Sequence, residues 1–424
     1  MGSLGAGVSF AASRPAPSVV YVSTTGSASG NGSASAPFMS LNQAVHAVAA
    51  GGTVLVDPGT YTQSVTITQP LTLEANPAEP GSVVIDAKGQ TNGVLITASN
   101  VTVKGLTIEN AQQAGLLAAG RGALTHLDIS NNTIKANDQG MTPQLNAKGI
   151  DYEALHVMGV DDSRITGNRV IDNLDGGIYL TDETAPTFGN VVANNLVEGN
   201  QVDCGITLAS HVGHHGVYDN AIVNNESIGN TGAGILLATP VPYGNVSHNV
   251  VANNLVRGNM LGGVTLHTHP GAPGAQVADN IIVQNTIGKN LDMEINASTV
   301  GVEINAAGEA LQGTVVEDNT ITGNHYAVFE TPWLTPGTVV TNNSYSLDAY
   351  KAPDWVPFSF LASIASYPPG ALGSNWIAAQ TDVKILLHAG VKTDAQYLAA
   401  VHGKASAAAV IAAQALYRAY DVFR

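Results

Sequence analysis

The sequence predicts an all-β solenoid, a stack of coils with one turn per repeat, and two observations carry that prediction. The spacing Asn-x4-Asn occurs seven times, at Asn132/Asn137, Asn168/Asn173, Asn195/Asn200, Asn225/Asn230, Asn254/Asn259, Asn285/Asn290 and Asn319/Asn324. Four copies extend to a third amide five residues earlier, at Asn190, Asn220, Asn249 and Asn280. An amide that returns to the same place on every turn can hydrogen-bond to its copies above and below as a ladder. The second observation is a strand that recurs with the same pattern: Gly176-Gly-Ile-Tyr-Leu180, Cys204-Gly-Ile-Thr-Leu208, Ala233-Gly-Ile-Leu-Leu237 and Gly262-Gly-Val-Thr-Leu266. Alternation turns its aliphatic pairs inward and the residue between them outward. Composition agrees, because 46 glycines and 11% charged residues suit short strands joined by tight turns.

The elements follow in order. Residues 1–17 lack a charged opening and contain prolines, which fits a processed or disordered leader and an exported protein. Ser40 is placed to cap a short helix whose face is Leu41, Ala44, Val45 and Val48. A helix there would cover the first open edge of the stack, as repeat domains require. The strand Val54–Val56 and the turn at Pro58-Gly59 come next, and the coils run through residue 345. Trp355, Pro357, Pro368 and Pro369 then mark a linker-like crossing at the start of a 346–424 extension. Within it, Asn375–His388 and Thr393–Arg424 read as Ala-rich helices broken near Gly390 and Gly403. They suit either a cover on the stack or a module for oligomerisation or wall docking.

The pattern from Tyr21 to Tyr61, together with the coils of 18–345, resembles the right-handed parallel β-helix, or pectin-lyase-like, superfamily. The resemblance implies a solenoid with an N-terminal capping helix and a C-terminal helical extension. It leaves function open among lyases, hydrolases, epimerases, adhesins and metal-delivery proteins.

Charge excludes some partners. With 16 basic against 32 acidic residues the net charge is −16, so nucleic acid is disfavoured for want of clustered Lys and Arg. A polyanion would be repelled unless a metal or a local basic patch intervened. Cys204 is the single cysteine, so no intrachain disulfide framework exists, and no run of 18 apolar residues could span a membrane.

In proteins that the chain resembles, active sites lie on the outward positions of one sheet and the loops beside it. Here those positions hold Leu117, His156, Tyr179, Thr207, Leu236, Thr265 and Glu303. His156 and Tyr179 fall on adjacent coils. A Tyr/His pair can remove and return a proton beside a carboxylate, as lyases and C5-epimerases of uronic acids require. Asp175 and Asp203, before the strand on consecutive coils, are the acid/base pair of a hydrolase reading. Counting past the strand aligns Arg121, Glu183, His211 and His269 along one edge, with Asp182 and His267 close by, as substrate-binding residues. His211, His214, His215, His267 and His269 are candidates for a divalent metal, and Ca²⁺ is the alternative ion. The expectation is an extracellular bacterial protein, secreted or at the cell surface, that holds a polysaccharide or oligosaccharide in a groove. It is a lyase, epimerase or hydrolase; the alternative is a non-catalytic, adhesin-like or metal-carrying β-helix.

Overall fold

The computed structural model describes residues 16–142, 152–269, 271–291, 299–306, 309, 311–330, 335, 337–348, 362 and 374–422. Trp355, Pro357, Pro368 and Pro369 of the expected crossing lie outside the described residues.

Short strands of the β-branched and aliphatic runs stack into three sheets of 12, 14 and 11 strands. Pairing between named strands is parallel throughout, and each strand pairs with its copy one coil away. Period-2 alternation puts Ile178, Leu180, Ile206, Leu208, Ile235 and Leu237 inside, each at most 1% exposed. Burying that column on every coil is the main source of stability.

The asparagines form the expected ladders, and each carries more than a side-chain contact. Asn195 donates both its backbone N–H and its Nδ2 to Oδ1 of Asn225, at 3.0 and 2.9 Å. Asn225 does the same to Asn254, at 2.8 and 3.1 Å, and its Nδ2 also reaches the Val192 carbonyl at 2.9 Å. A buried amide thereby satisfies turn groups that have no strand partner. At most ladder positions the preceding residue takes the left-handed conformation, as at Asn194, Asn224 and Asn253 (φ 55–57°) and at Gly199 and Gly229 (φ 66° and 64°). Gly, Asn and Asp adopt it at least cost, which explains the Asn-Asn and Gly-Asn pairs in the sequence, although Ala136, His248 and Gln284 also hold it. The ladders run past the asparagine repeat where the residue type changes: Asn324 ends on Asp348, and Ser163 takes a rung below Asn190.

The glycine column at 177, 205, 234 and 263 has a packing cause. A Cβ on Gly234 would sit 2.3 Å from Val256 Cγ1 and 2.6 Å from Asn259 Nδ2. Gly234→Ala is therefore expected to lower unfolding free energy by about 1–3 kcal/mol through overpacking, read as a lower denaturant midpoint. An unchanged midpoint would show that the coil gives way at no cost.

The helix Leu41–Ala47 is capped by Ser40, whose side chain accepts from the Gln43 N–H at 3.3 Å. Its apolar face of Leu41, Ala44 and Val45 is buried, and it packs on the strands Val19–Ser27 and Val65–Ile67 of the first coils. At the other end of the chain, helices Ser374–His388, Asp394–Val401 and Ala407–Val422 pack on one another. Gly390 and Gly403 sit in the breaks with φ of 83° and 78°.

Candidate functional site

The register places the outward residues as one column. Leu117 pairs with His156, His156 with Tyr179, Tyr179 with Thr207, Thr207 with Leu236, Leu236 with Thr265 and Thr265 with Glu303. The next outward column holds Met158, Thr181, Ala209, Ala238, His267 and Asn305. A groove of about 550 Å³ lies over the two columns from Tyr179 to Glu303, with Pro240, Val241 and Leu261 in its walls. It begins at Tyr179, one coil after His156, and reaches Glu303.

At one end the Tyr179 hydroxyl is 2.9 Å from Nε2 of His211. The other ring nitrogen, Nδ1, is 3.2 Å from Oε1 of Glu183. Burial alone would raise the Glu183 pKa, but the hydrogen bond from His211, the His156 charge and the Thr181 hydroxyl together hold it at about 2. An ionised Glu183 keeps the proton on Nδ1 of His211, which leaves Nε2 to accept from the Tyr179 hydroxyl. His156 does not line the groove. Its ring stacks under Tyr179 with centroids 4.8 Å apart, and its Nε2 is 3.0 Å from the Thr181 hydroxyl, which donates to Glu183. Tyr179 is thus pinned by His156 below and His211 beside it.

The remaining sequence candidates divide. Asp182 is fully buried and faces away from the groove. Its Oδ2 accepts from Ser210 at 2.6 Å, and its Oδ1 accepts from the N–H groups of His211 and Val212 at 2.7 and 3.1 Å. It therefore positions the loop that carries His211. Burial raises its pKa despite these three donors. Asp175 and Asp203 do fall on adjacent coils, but they are not presented together. Asp175 is fully buried, accepting the Tyr152 N–H at 2.8 Å, while Asp203 reaches the groove wall. Asp175 also acts on buried Asp138, whose pKa is pushed well up by burial and then by the Asp175 charge. Arg121 leaves the edge altogether. The pairing shifts register between Ala119 and Leu124, and this bulge carries Arg121 out to solvent.

The expected histidine edge breaks up for a similar reason. His211 is engaged through both nitrogens, His215 Nδ1 is 2.7 Å from the Asp182 carbonyl, and His214 stacks on Tyr243 at 4.9 Å. His267 and His269 meet edge to face at 4.5 Å at the far end of the groove. Among the described residues no three His, Cys, Asp or Glu side chains converge as a metal site.

The far end also holds residues that sequence counting treated lightly. Glu303 is 2% exposed; its Oε2 accepts from the Thr265 hydroxyl at 3.2 Å and its Oε1 from Asn305 Nδ2 at 3.1 Å. Thr181 and Asn305 were legible only as the next outward positions, two residues along the strand.

Burial depresses the pKa of His156 to about 4 and of His267 to about 3, with His269 adding to the second effect by its charge. The unfolded chain takes up protons on these imidazoles below about pH 6.5, and the folded chain does not until pH 4 and below. Stability should therefore fall as pH drops from 6.5 to 4. A melting curve at each pH tests this, and His267→Gln should flatten it. A slope unchanged in that variant would show that His267 is not the cause.

Comparisons with known proteins agree on the architecture. Residues 84–273 match the family model described as right handed beta helix region, and residues 24–83 match a family described as a protein of unknown function, DUF1565. No curated protein matches the chain in sequence. Among solved structures, the A-module of the Azotobacter vinelandii mannuronan C-5 epimerase AlgE4 is similar with a TM-score of 0.53 at 15% identity. That match covers 72% of this chain and 90% of the module. The Dettilon tailspike protein (TM-score 0.48, 16% identity) is covered over 71% of this chain and 62% of its own. Pectate lyase Pel9A (TM-score 0.43, 16% identity) is covered over 83% and 86%. At these identities the likeness is one of fold.

Proposed function

We propose that this right-handed parallel β-helix protein, acting outside the cell, holds a carbohydrate polymer in the groove and moves a proton at it through Tyr179. One observation carries the reading: the Tyr179 hydroxyl, His211 and Glu183 form a continuous hydrogen-bonded line at the mouth of a groove. The carbohydrate class draws on the mannuronan epimerase named for the structure of similar fold. The proton-transfer role draws on the geometry.

Tyr179 is the residue that faces the bound sugar. As its oxygen takes a proton from a sugar carbon beside an acyl group, its own proton passes to Nε2 of His211. Glu183, ionised and 3.2 Å from Nδ1, stabilises the imidazolium that results. The electron pair left on the sugar either expels the neighbouring glycosidic oxygen, which takes a proton back, or is reprotonated at the same carbon. The first outcome is β-elimination and the second is epimerisation. His156 and Asp182 position Tyr179 and His211 and do not touch substrate. A hydrolase using Asp175 and Asp203 is disfavoured because one of its carboxyls is enclosed. Incubation of the purified protein with a polysaccharide panel tests the proposal. Unsaturated product, or altered sugar configuration, is expected; reducing ends without unsaturation would favour the hydrolase instead.

A further inference from the structure

We propose that Thr207 is a further catalytic residue, whose hydroxyl donates a hydrogen bond to the acyl oxygen of the sugar that Tyr179 deprotonates. This rests on the proton-transfer reading above and adds a donor for the charge that develops on the acyl group. When a proton leaves a carbon beside an acyl group, the electron pair spreads onto the acyl oxygen. A donor already in place there lowers the barrier.

Thr207 pairs in register with Tyr179, one strand spacing of roughly 4.8 Å away, and lines the same groove. The Tyr179 hydroxyl reaches toward that neighbouring coil, because its partner His211 stands beyond Thr207 on it. A carbon at the Tyr179 hydroxyl and an acyl oxygen over Thr207 can therefore belong to one sugar.

The Thr207 side chain is 2% exposed, and its hydroxyl oxygen has no hydrogen-bond partner among the described residues. A buried hydroxyl left unpaired is a net cost to folding. Its column does not need one. Leu117 and Leu236 hold the same outward position on other coils, and the Thr265 hydroxyl is bonded to Glu303. Thr231 and Thr314 also carry unpaired hydroxyls, but they lie away from the groove lining. Thr207 combines the unpaired donor with a place beside Tyr179. The Cβ of an outward residue stands over the groove floor, so rotation about Cα–Cβ to another staggered position turns the hydroxyl toward a bound sugar.

The C–H bond of the sugar breaks as its proton goes to the Tyr179 oxygen, whose own proton passes to Nε2 of His211. The electron pair moves into a carbon–carbon double bond, and the acyl oxygen takes the negative charge. Thr207 keeps its proton and holds that oxygen by the hydrogen bond. The pair then returns, either to expel the neighbouring glycosidic oxygen or to take a proton back at the same carbon.

The test is steady-state kinetics on polygalacturonate, polymannuronate and methyl-esterified pectin, paired with thermal melts of the full chain. On whichever polymer the parent turns over, Thr207→Val should lower kcat about 10²-fold, the cost of losing one oxyanion donor. KM should change little. The melting temperature should stay level or rise, because valine keeps the shape and removes an unpaired group. Thr207→Ser should restore most of the rate. A Thr207→Val chain that keeps parental turnover overturns the proposal, and so does one that loses its rate together with its melting temperature. A parent that turns over none of the three polymers would instead remove the proton-transfer reading on which the proposal stands.

Discussion

Tyr179→Phe should reduce turnover on the cleaved or epimerised polymer by about 10²- to 10⁴-fold, the range for loss of a positioned acid–base group. KM and melting temperature should change little. The phenyl ring keeps the stacking on His156, 4.8 Å away, and keeps the shape of the groove. What is lost is the hydroxyl 2.9 Å from His211 and with it the path for the proton. His211→Gln and Glu183→Gln should also lower kcat, the second less, because Glu183 acts through the imidazole. His156→Leu separates this arrangement from the pair read off the sequence. If His156 only supports the Tyr179 ring, its loss should cost stability and part of the rate. If it were the proton acceptor, its loss should match that of Tyr179→Phe. A Tyr179→Phe enzyme with wild-type turnover would end the proton-transfer reading.

The second large effect is structural. Asn225→Leu should cost about 3–5 kcal/mol of unfolding free energy, summed from buried groups each worth about 1–3 kcal/mol when left unpaired. The change removes the acceptor of the Asn195 N–H and Nδ2 and the donor to the Val192 carbonyl. These groups are buried between coils, where water cannot replace the amide. Asn224→Gly, one residue earlier, is the control. Asn224 is exposed with φ of 55°, a conformation glycine adopts freely, so that variant should unfold within a few tenths of a kcal/mol of the parent. Urea unfolding of the two variants compares them. Similar midpoints would mean that the ladder amide is worth no more than an exposed turn residue.

The ladder also measures how much of the fold could be read from sequence. Its positions, the glycine column and the inward aliphatic pairs recur at a near-constant period, so each coil reports the register of the next. Ser163 and Asp348 continue the ladders but could not be found by that rule, because a different side chain supplies the oxygen, and Asn343 escaped it because its partner five residues on is Asp348. The site was less legible. Tyr179 and His156 were placed on adjacent coils correctly, since strand register carries over from coil to coil. That His156 lies beneath Tyr179 and not in the groove was not legible, because which side chains meet the groove depends on loops whose lengths differ from coil to coil. Arg121 was misplaced because counting assumed a regular strand where the chain bulges between Ala119 and Leu124.

Sequence alone determined the coil: periodic residues meet their own copies at a fixed strand spacing, so a local pattern dictates a long-range contact. Only the tertiary structure decided which side chains meet at the groove. It turned Asp182 inward to hold the His211 loop and enclosed Asp175 beside Asp138. It also brought His211, 32 residues along the chain, to the Tyr179 hydroxyl. Those outcomes depend on the path of irregular loops and on burial, and neither repeats from coil to coil.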